Sequence, residues 1–90
     1  MKIVWDEPKR RRNLERHGFD FADVARFDWE DAIVKPSHAS AMGRARFAAT
    51  GFLGADLVTV VFSPLGSEAI SIVSFRRASR SERRAYEEEE

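Results

Sequence analysis

Residues 57–62 read Leu-Val-Thr-Val-Val-Phe, and this stretch decides the fold of the 90-residue chain. It is apolar on both faces of an extended strand, which is typical of the central strand of a sheet. Two further β-type runs, residues 46–52 and 69–75, flank it, and the segments between them carry turn residues. The pattern predicts an antiparallel meander of three strands with residues 57–62 in the middle and helices over one face.

Helix signals precede the meander. Residues 3–5 form a short apolar strand, after which Asp6 is placed to cap a helix over residues 7–17 that Gly18 ends in a left-handed conformation. Asp20 is placed to cap a second helix. Two short helices in succession predict a helical hairpin.

The remaining elements lie on either side of the meander. Residues 33–34 form a brief strand that Pro36 ends, and residues 36–43 read as a loop. After the meander, Ser79 and Glu82 have the spacing of a capping box at the start of a C-terminal helix.

The predicted fold class is therefore α+β, in the order β-α-α-β-β-β-β-α. An N-terminal short strand and a helical hairpin pack on one face of an antiparallel β-meander, and the C-terminal helix lies at an edge. Residues 1–90 are expected to form a single domain, in which residues 87–90 are a disordered acidic tail.

Composition narrows the class of protein. The chain has no cysteine, and its longest strongly apolar stretch is far shorter than the roughly 20 residues of a membrane helix. We therefore expect a cytoplasmic protein with no membrane association. The sequence also lacks a glycine-rich phosphate loop and a cluster of His or Cys at metal-ligand spacing, so no cofactor and no metal are expected.

Basic residues are segregated although the net charge is zero. Residues 9–16 hold five bases and one acid, and residues 76–84 hold five arginines and one acid. Arginines around a helix N-terminus suit phosphate oxygens, which predicts a site for a polyanion such as RNA. A solvated face paired with acidic residues elsewhere in the chain is the alternative.

His17 is the histidine best placed for proton transfer. It lies in the last turn of the first predicted helix, where the helix dipole would stabilise its protonated form. A structural role at the helix end is the alternative. Lys9, Asn13 and His17 recur at intervals of four and predict one polar stripe along that helix.

Motifs spread over nearly the whole chain resemble the BrnT family of bacterial toxins. They are Trp5-Asp6-Glu7-x-Lys9-x-x-x-Asn13-x-x-Arg16-His17-Gly18-x-x-Phe21, then Arg46-Phe47 leading to Gly51, then Val73-Ser74-x-Arg76-Arg77-Ala78, and finally Glu82-Arg83-x-x-Tyr86. The resemblance implies a RelE-like fold and a metal-independent endoribonuclease that cleaves RNA and thereby inhibits translation, with or without the ribosome. It also implies neutralisation by a BrnA-like ribbon-helix-helix antitoxin. The protein would then contact DNA only through this antitoxin.

The resemblance also implies roles for particular residues. Arg46, Arg76 and Arg77 become phosphate or transition-state binders, and His17, Lys9 and Tyr86 become candidates for proton transfer or positioning. The basic residues expected to bind RNA are Arg10, Arg12, Arg80 and Arg84.

Two alternatives to an active ribonuclease remain at this point. One is a noncatalytic module that binds an antitoxin and acts in promoter autoregulation. The other is a catalytically weakened toxin, because Ser71 and Phe75 stand where the family pattern leads us to expect an arginine and a small residue.

Overall fold

The structure is a computed structural model, and it describes residues 1–38 and 43–89. In these residues one sheet holds five strands, which are β1 (Lys2–Val4), β2 (Ile33–Pro36), β3 (Phe47–Leu53), β4 (Asp56–Leu65) and β5 (Ala69–Arg77). The other elements are α1 (Glu7–His17), a 3₁₀ helix (Phe21–Arg26) and α2 (Arg80–Glu89). The strand order is β1-β5-β4-β3-β2, which confirms the central position predicted for residues 57–62.

The sheet is mixed, and the prediction that the N-terminal strand packs on a face of the antiparallel meander is wrong, because β1 joins the sheet at its edge. This strand pairs parallel to β5, with Lys2 opposite Ala69 and Val4 opposite Ser71. All other neighbouring strands are antiparallel. Parallel pairing needs a long crossover connection, here most of the chain, so nothing local in residues 2–4 signals it.

Side-chain hydrogen bonds confirm the predicted helix starts. The Asp6 carboxylate accepts a hydrogen bond from the Lys9 amide at 3.1 Å, and the Asp20 carboxylate accepts one from the Ala22 amide at 2.9 Å. Gly18 ends α1 at φ 78°, a conformation that glycine adopts without steric cost.

The second predicted helix is a short 3₁₀ helix, and this corrects the expectation of a helical hairpin. Phe21, Val24 and Phe27 are all buried, and they recur every three residues. A 3₁₀ helix has three residues per turn, so it directs all three side chains to one side, whereas an α-helix would spread them. They pack on the sheet face that bears Val58 and Val60, which we call the first face.

Strand β5 contains a β-bulge that decides where its side chains point. Val61 pairs with Ser74 and Phe62 pairs with Ile72, so Val73 has no partner on β4. The extra residue reverses the alternation, which keeps Phe75 in the core of the first face together with Ile72 and sends Arg76 to the opposite, second face. The bulge explains why apolar and polar residues alternate imperfectly over residues 69–75 of the sequence.

Helix α2 lies across the second face, whereas the sequence placed it at an edge. The Tyr86 ring packs edge-on against the Phe52 ring of β3, with 5.6 Å between the ring centroids. The Thr59 hydroxyl of the central strand donates a hydrogen bond to the Glu82 carboxylate. The predicted capping box is confirmed, because the Glu82 amide donates to the Ser79 hydroxyl and the Ser79 amide donates to the Glu82 carboxylate.

Three strand or helix ends differ from the predictions. Helix α2 continues to Glu89, so residues 87–89 of the expected disordered tail are helical, which fits the high helix propensity of glutamate. Strand β2 includes Pro36, an edge position that tolerates a missing N–H. Strand β4 runs through Pro64 because its pairing with β3 has already stopped at Phe62, leaving no neighbour on that side to need the missing N–H. The predicted loop over residues 36–43 lies partly outside the described residues.

Asn13 joins α1 to the edge of β5. Its side-chain amide donates to the Phe75 carbonyl at 2.7 Å and to the Phe19 carbonyl at 3.1 Å, and its Oδ1 accepts from the Phe75 amide at 3.1 Å. Strand β1 covers only residues 69–71 of β5, so the Asn13 side chain replaces a neighbouring strand at Phe75. Only 7% of Asn13 is exposed, whereas the sequence predicted a polar stripe on the helix surface.

We predict that Asn13→Ala lowers the free energy of unfolding by about 2–4 kcal/mol, because it leaves buried backbone groups of Phe19 and Phe75 without partners. Urea denaturation measures the change. Leu14→Ala is the control, since Leu14 is 39% exposed on the same helix. An equal loss in the two variants would show that Asn13 contributes only through α1 itself.

Candidate functional site

A basic cleft runs between α1 and the bulged part of β5, and we call it the α1–β5 cleft. Its volume is about 290 Å³. Lys9, Arg12 and Arg16 lie on one face of α1 because residues three, four and seven apart share a helix face. The full lining is Lys9, Arg12, Asn13, Arg16 and His17 from the helix with Val73 and Ser74 from the strand.

A second and larger cavity, of about 560 Å³, lies between β2 and α2 on the second face of the sheet. We call it the β2–α2 cavity. Its lining mixes small apolar side chains with Thr50, Lys35, His38, Arg76 and Glu82. Arg76 lies two residues after Ser74 on the same face of β5, so the cleft and the cavity are neighbours along this strand.

The electrostatic surroundings of His17 favour its neutral form. Burial lowers the pKa of His17 below its usual value, and the positive charges of Arg16 and Arg76 lower it further. This corrects the expectation that the helix dipole would keep the imidazole protonated. A neutral imidazole at neutral pH has a free nitrogen that can accept a proton.

Arg76 is held by a carboxylate. Its guanidinium donates to both oxygens of Glu82, from Nη1 at 2.7 Å and from Nη2 at 3.0 Å. The same Nη1 also donates to the Arg77 carbonyl at 3.3 Å. Because the side chain is about one-third exposed, Arg76 is both fixed and accessible.

Arg77, Arg46 and Tyr86 are not brought to the α1–β5 cleft. Arg77 projects from the opposite face of β5, where it lies over the Phe19 ring at 5.6 Å and pairs with Asp56 at 3.1 Å. Arg46 immediately precedes β3, and its Nε is buried with no hydrogen-bond partner among the described residues. Tyr86 is buried, with 6% exposure, and packs between α2 and β3.

The four arginines expected to bind RNA are dispersed. Arg12 lines the α1–β5 cleft. Arg10 is engaged by two carboxylates, those of Glu7 at 2.8 Å and Asp20 at 2.9 Å. The other two, Arg80 and Arg84, are exposed on α2.

Sequence reasoning did not assign a functional role to several residues of this region. Arg16 entered only as part of a motif, although its spacing from Lys9 and Arg12 was a usable signal. Ser74 also entered only as part of a motif, and Lys35 did not enter at all. Neither could be assigned to this region from the sequence, because strand register and the bulge decide where their side chains lie. Glu82 was identified as a helix cap, and the cap residue proves to be the partner of Arg76 as well.

The described parts of the chain contain no group of three or more His, Cys, Asp or Glu side chains arranged to hold a metal ion. In the same residues no helix is both long and apolar enough to cross a membrane.

Comparison with known proteins decides the family. The family model described as the ribonuclease toxin BrnT of type II toxin-antitoxin systems matches residues 5–82. The chain belongs to the BrnT family. It is also similar to the Brucella abortus ribonuclease toxin BrnT, whose crystal structure it matches with a TM-score of 0.73 and 43% sequence identity, over 89% of this chain and 99% of that one. No curated protein matches the chain.

Membership of the BrnT family places this chain among the ribonuclease toxins of type II toxin-antitoxin systems. It therefore implies an RNA substrate and an antitoxin partner. The α1–β5 cleft lies wholly within the matched residues 5–82, as does the Arg76–Glu82 pair.

We predict that Arg16→Gln raises the pKa of His17 toward its usual value, because the variant removes one of the positive charges that disfavour the imidazolium. Titration of the His17 ring protons by NMR measures the shift. Arg26→Gln is the control, since Arg26 is an exposed arginine of the 3₁₀ helix whose charge is not among those that shift His17. If neither variant moved the pKa, the Arg16 charge would not govern His17.

Proposed function

We propose that the chain is a metal-independent endoribonuclease toxin with a RelE-like fold, and that it cleaves RNA in the α1–β5 cleft and so inhibits translation in the cytoplasm. The observation that carries this proposal is the juxtaposition of His17, whose pKa is lowered, with the positive charges of Arg16 and Arg76. Cations lower the pKa of a neighbouring imidazole and also attract a phosphodiester. One arrangement thus supplies a proton acceptor and an anion site.

The proposed reaction is attack of a ribose 2′-hydroxyl on the adjacent phosphate, which forms a 2′,3′-cyclic phosphate and breaks the bond between phosphorus and the 5′-oxygen of the next nucleotide. The departing 5′-oxygen takes a proton from water, and the proton accepted by His17 returns to the solvent. Neutral His17 accepts the hydroxyl proton, while Arg16 and Arg76 stabilise the negative charge that accumulates on the phosphate oxygens. Lys9 and Arg12 hold neighbouring phosphates of the strand along α1. Because the nucleophile belongs to the substrate, the reaction needs no metal-activated water.

Arg77, Arg46 and Tyr86 take other roles in this proposal. Arg77 is engaged by Asp56 and Phe19 on the opposite face of the sheet, where it secures the start of the chain segment leading to α2. Arg46 takes no part in proton transfer in this proposal, because a guanidinium is a poor proton acceptor and its Nε is buried, without a hydrogen-bond partner among the described residues. The buried position of Tyr86 favours a packing role.

We predict that the purified chain cleaves single-stranded RNA in the presence of EDTA and leaves 2′,3′-cyclic phosphate and 5′-hydroxyl ends. His17→Ala should lower kcat by roughly 10²–10⁴-fold, the usual contribution of a general base. Gel analysis of end-labelled RNA and mapping of the product ends measure both outcomes.

Arg26→Ala is the matched control for this assay, because Arg26 is an exposed arginine on the first face of the sheet, paired with Asp23 rather than lining the cleft. Its activity should equal that of the unmodified chain. Absence of cleavage by the unmodified chain, or full activity of His17→Ala, would contradict the proposal. The first result would favour the second candidate function.

That second candidate is a noncatalytic module that binds an antitoxin and acts in promoter autoregulation. It is favoured by the engagement of Arg10, Arg76 and Arg77 in carboxylate pairs within the free chain. A weakened toxin would instead show slow but His17-dependent cleavage.

We further propose that the antitoxin is a BrnA-like ribbon-helix-helix protein, that an acidic or apolar segment of it covers the basic cleft, and that the toxin meets DNA only through it. The exposed Arg12 and Arg16 side chains support this charge complementarity.

We predict that adding a small ribbon-helix-helix protein encoded beside this chain abolishes RNA cleavage. The reason is that a segment lying in the cleft would exclude the RNA phosphates. Binding of the antitoxin, measured by pull-down, should weaken for an Arg12→Glu, Arg16→Glu double variant, whereas an Arg26→Glu variant should bind normally. Equal binding by both variants would place the antitoxin elsewhere.

A further inference from the structure

The guanidinium of Arg76 has five N–H donors, and three of them are used inside the protein. One from Nη1 and one from Nη2 go to Glu82, and the second from Nη1 goes to the Arg77 carbonyl. The N–H of Nε and the second N–H of Nη2 have no acceptor among the described residues. These two donors are parallel and lie on one edge of the planar group, which is the geometry that binds two phosphate oxygens at once.

The Glu82 carboxylate is itself fixed by four hydrogen bonds. Besides the two from Arg76, it accepts one from the Ser79 amide at 2.8 Å and one from the Thr59 hydroxyl at 2.9 Å. Although burial opposes its charge, these bonds lower the pKa of Glu82 to about 2. The carboxylate is therefore ionised throughout the pH range of an activity assay.

A buried pair of threonines holds the Glu82 carboxylate by a chain of hydrogen bonds from the sheet. Thr59 lies fully buried on the central strand, and its hydroxyl is 2.9 Å from that of Thr50 on β3. Since the single proton of the Thr59 hydroxyl goes to Glu82, Thr50 must donate to Thr59. Glu82 is thus tied to β3, β4 and β5 at once, which leaves the Arg76 guanidinium one orientation.

We propose that Glu82 is a positioning residue of the ribonuclease site, which holds Arg76 so that its Nε and Nη2 edge faces a phosphate of the RNA. This inference rests on the proposed function. Arg76 lines the β2–α2 cavity and lies two residues after Ser74 of the α1–β5 cleft on the same face of β5, so the phosphate bound at this edge lies at the junction of the two.

The proposal differs from a purely structural role for Glu82, which also closes the capping box of α2. A helix cap contributes to stability but does not orient a phosphate ligand. The two roles can be separated, because Ser79→Ala removes the hydroxyl that caps the Glu82 amide and leaves the carboxylate pair with Arg76 intact.

The test is steady-state cleavage of a short single-stranded RNA by Glu82→Gln. The amide keeps the size of the side chain but turns either a neutral oxygen or an N–H toward Arg76, so the guanidinium loses its fixed orientation. We expect kcat to fall by roughly 10–100-fold, the range for misplacing a group that contacts the transition state. KM should stay equal or fall, because the variant adds one net positive charge that attracts RNA.

Three controls accompany the variant. Asp23→Asn makes the same change in net charge at an exposed pair on the 3₁₀ helix and should leave kcat unchanged. Ser79→Ala should lower the melting temperature with kcat unchanged, when both are assayed well below that temperature. In an Arg76→Lys background, which lacks the planar edge, Glu82→Gln should cause no further loss of kcat.

The outcomes separate this inference from the proposed function. If the unmodified chain does not cleave RNA, the proposed function fails. If it cleaves and Glu82→Gln retains full kcat, or if Ser79→Ala loses as much kcat as Glu82→Gln, the positioning role fails while the ribonuclease stands. Additive losses in the Arg76→Lys background would also overturn it, because Glu82 would then act independently of Arg76.

Discussion

The side chain of Asn13 makes the contact on which the arrangement of the rest depends. It satisfies both backbone groups of Phe75 at a point where β5 has run past the end of β1. An exposed strand edge at this position would need water or another chain. The asparagine closes it with a helix instead. Since Lys9, Arg12 and Arg16 lie on the same stretch of α1, the bond that closes the edge also brings the basic side chains to the strand.

The bulge at Val73 is the second constraint, and it acts on the same strand. Without the extra residue, Arg76 would share a face with Ile70 and Ile72 and would point into the core. With it, Phe75 fills the core and Arg76 reaches the second face beneath α2. The bulky Phe75, which departs from the pattern expected for the family, is thus completely buried rather than part of the cleft.

The Asn13 contact and the bulge determine which of the clustered basic residues in the sequence lie together in the structure. Several arginines that looked equivalent are divided by their partners: Arg10 is held by Glu7 and Asp20, whereas Arg12 and Arg16 stand exposed beside His17. Burial of the imidazole lowers the pKa of His17, and the positive charges of Arg16 and Arg76 lower it further, in opposition to the helix dipole. A site for an anion and a proton acceptor arise from the same charges.

Local sequence determined the helix caps, the central strand and the family. The helix caps depend on contacts within a few residues, as at Asp6, Gly18 and the Ser79–Glu82 pair. A strand that is apolar on both faces is stable only in the middle of a sheet, so its central position also follows from local sequence. Local sequence did not predict the type of the second helix. Over six residues, the spacing of apolar side chains does not distinguish a 3₁₀ helix, with three residues per turn, from an α-helix, with 3.6.

Tertiary structure alone decided the parallel pairing of β1, the burial of Asn13 and the membership of the candidate site. Each joins residues far apart in the chain, such as Asn13 with Phe75 and His17 with Arg76, and no spacing rule relates such residues. Register and the bulge then decide which of two neighbouring arginines, Arg76 or Arg77, reaches the second face and the β2–α2 cavity. The sequence determined that this chain carries the basic residues of a BrnT toxin. Packing decided which of them act together, because the charge of a side chain follows from its residue type, whereas its neighbours come from distant parts of the chain.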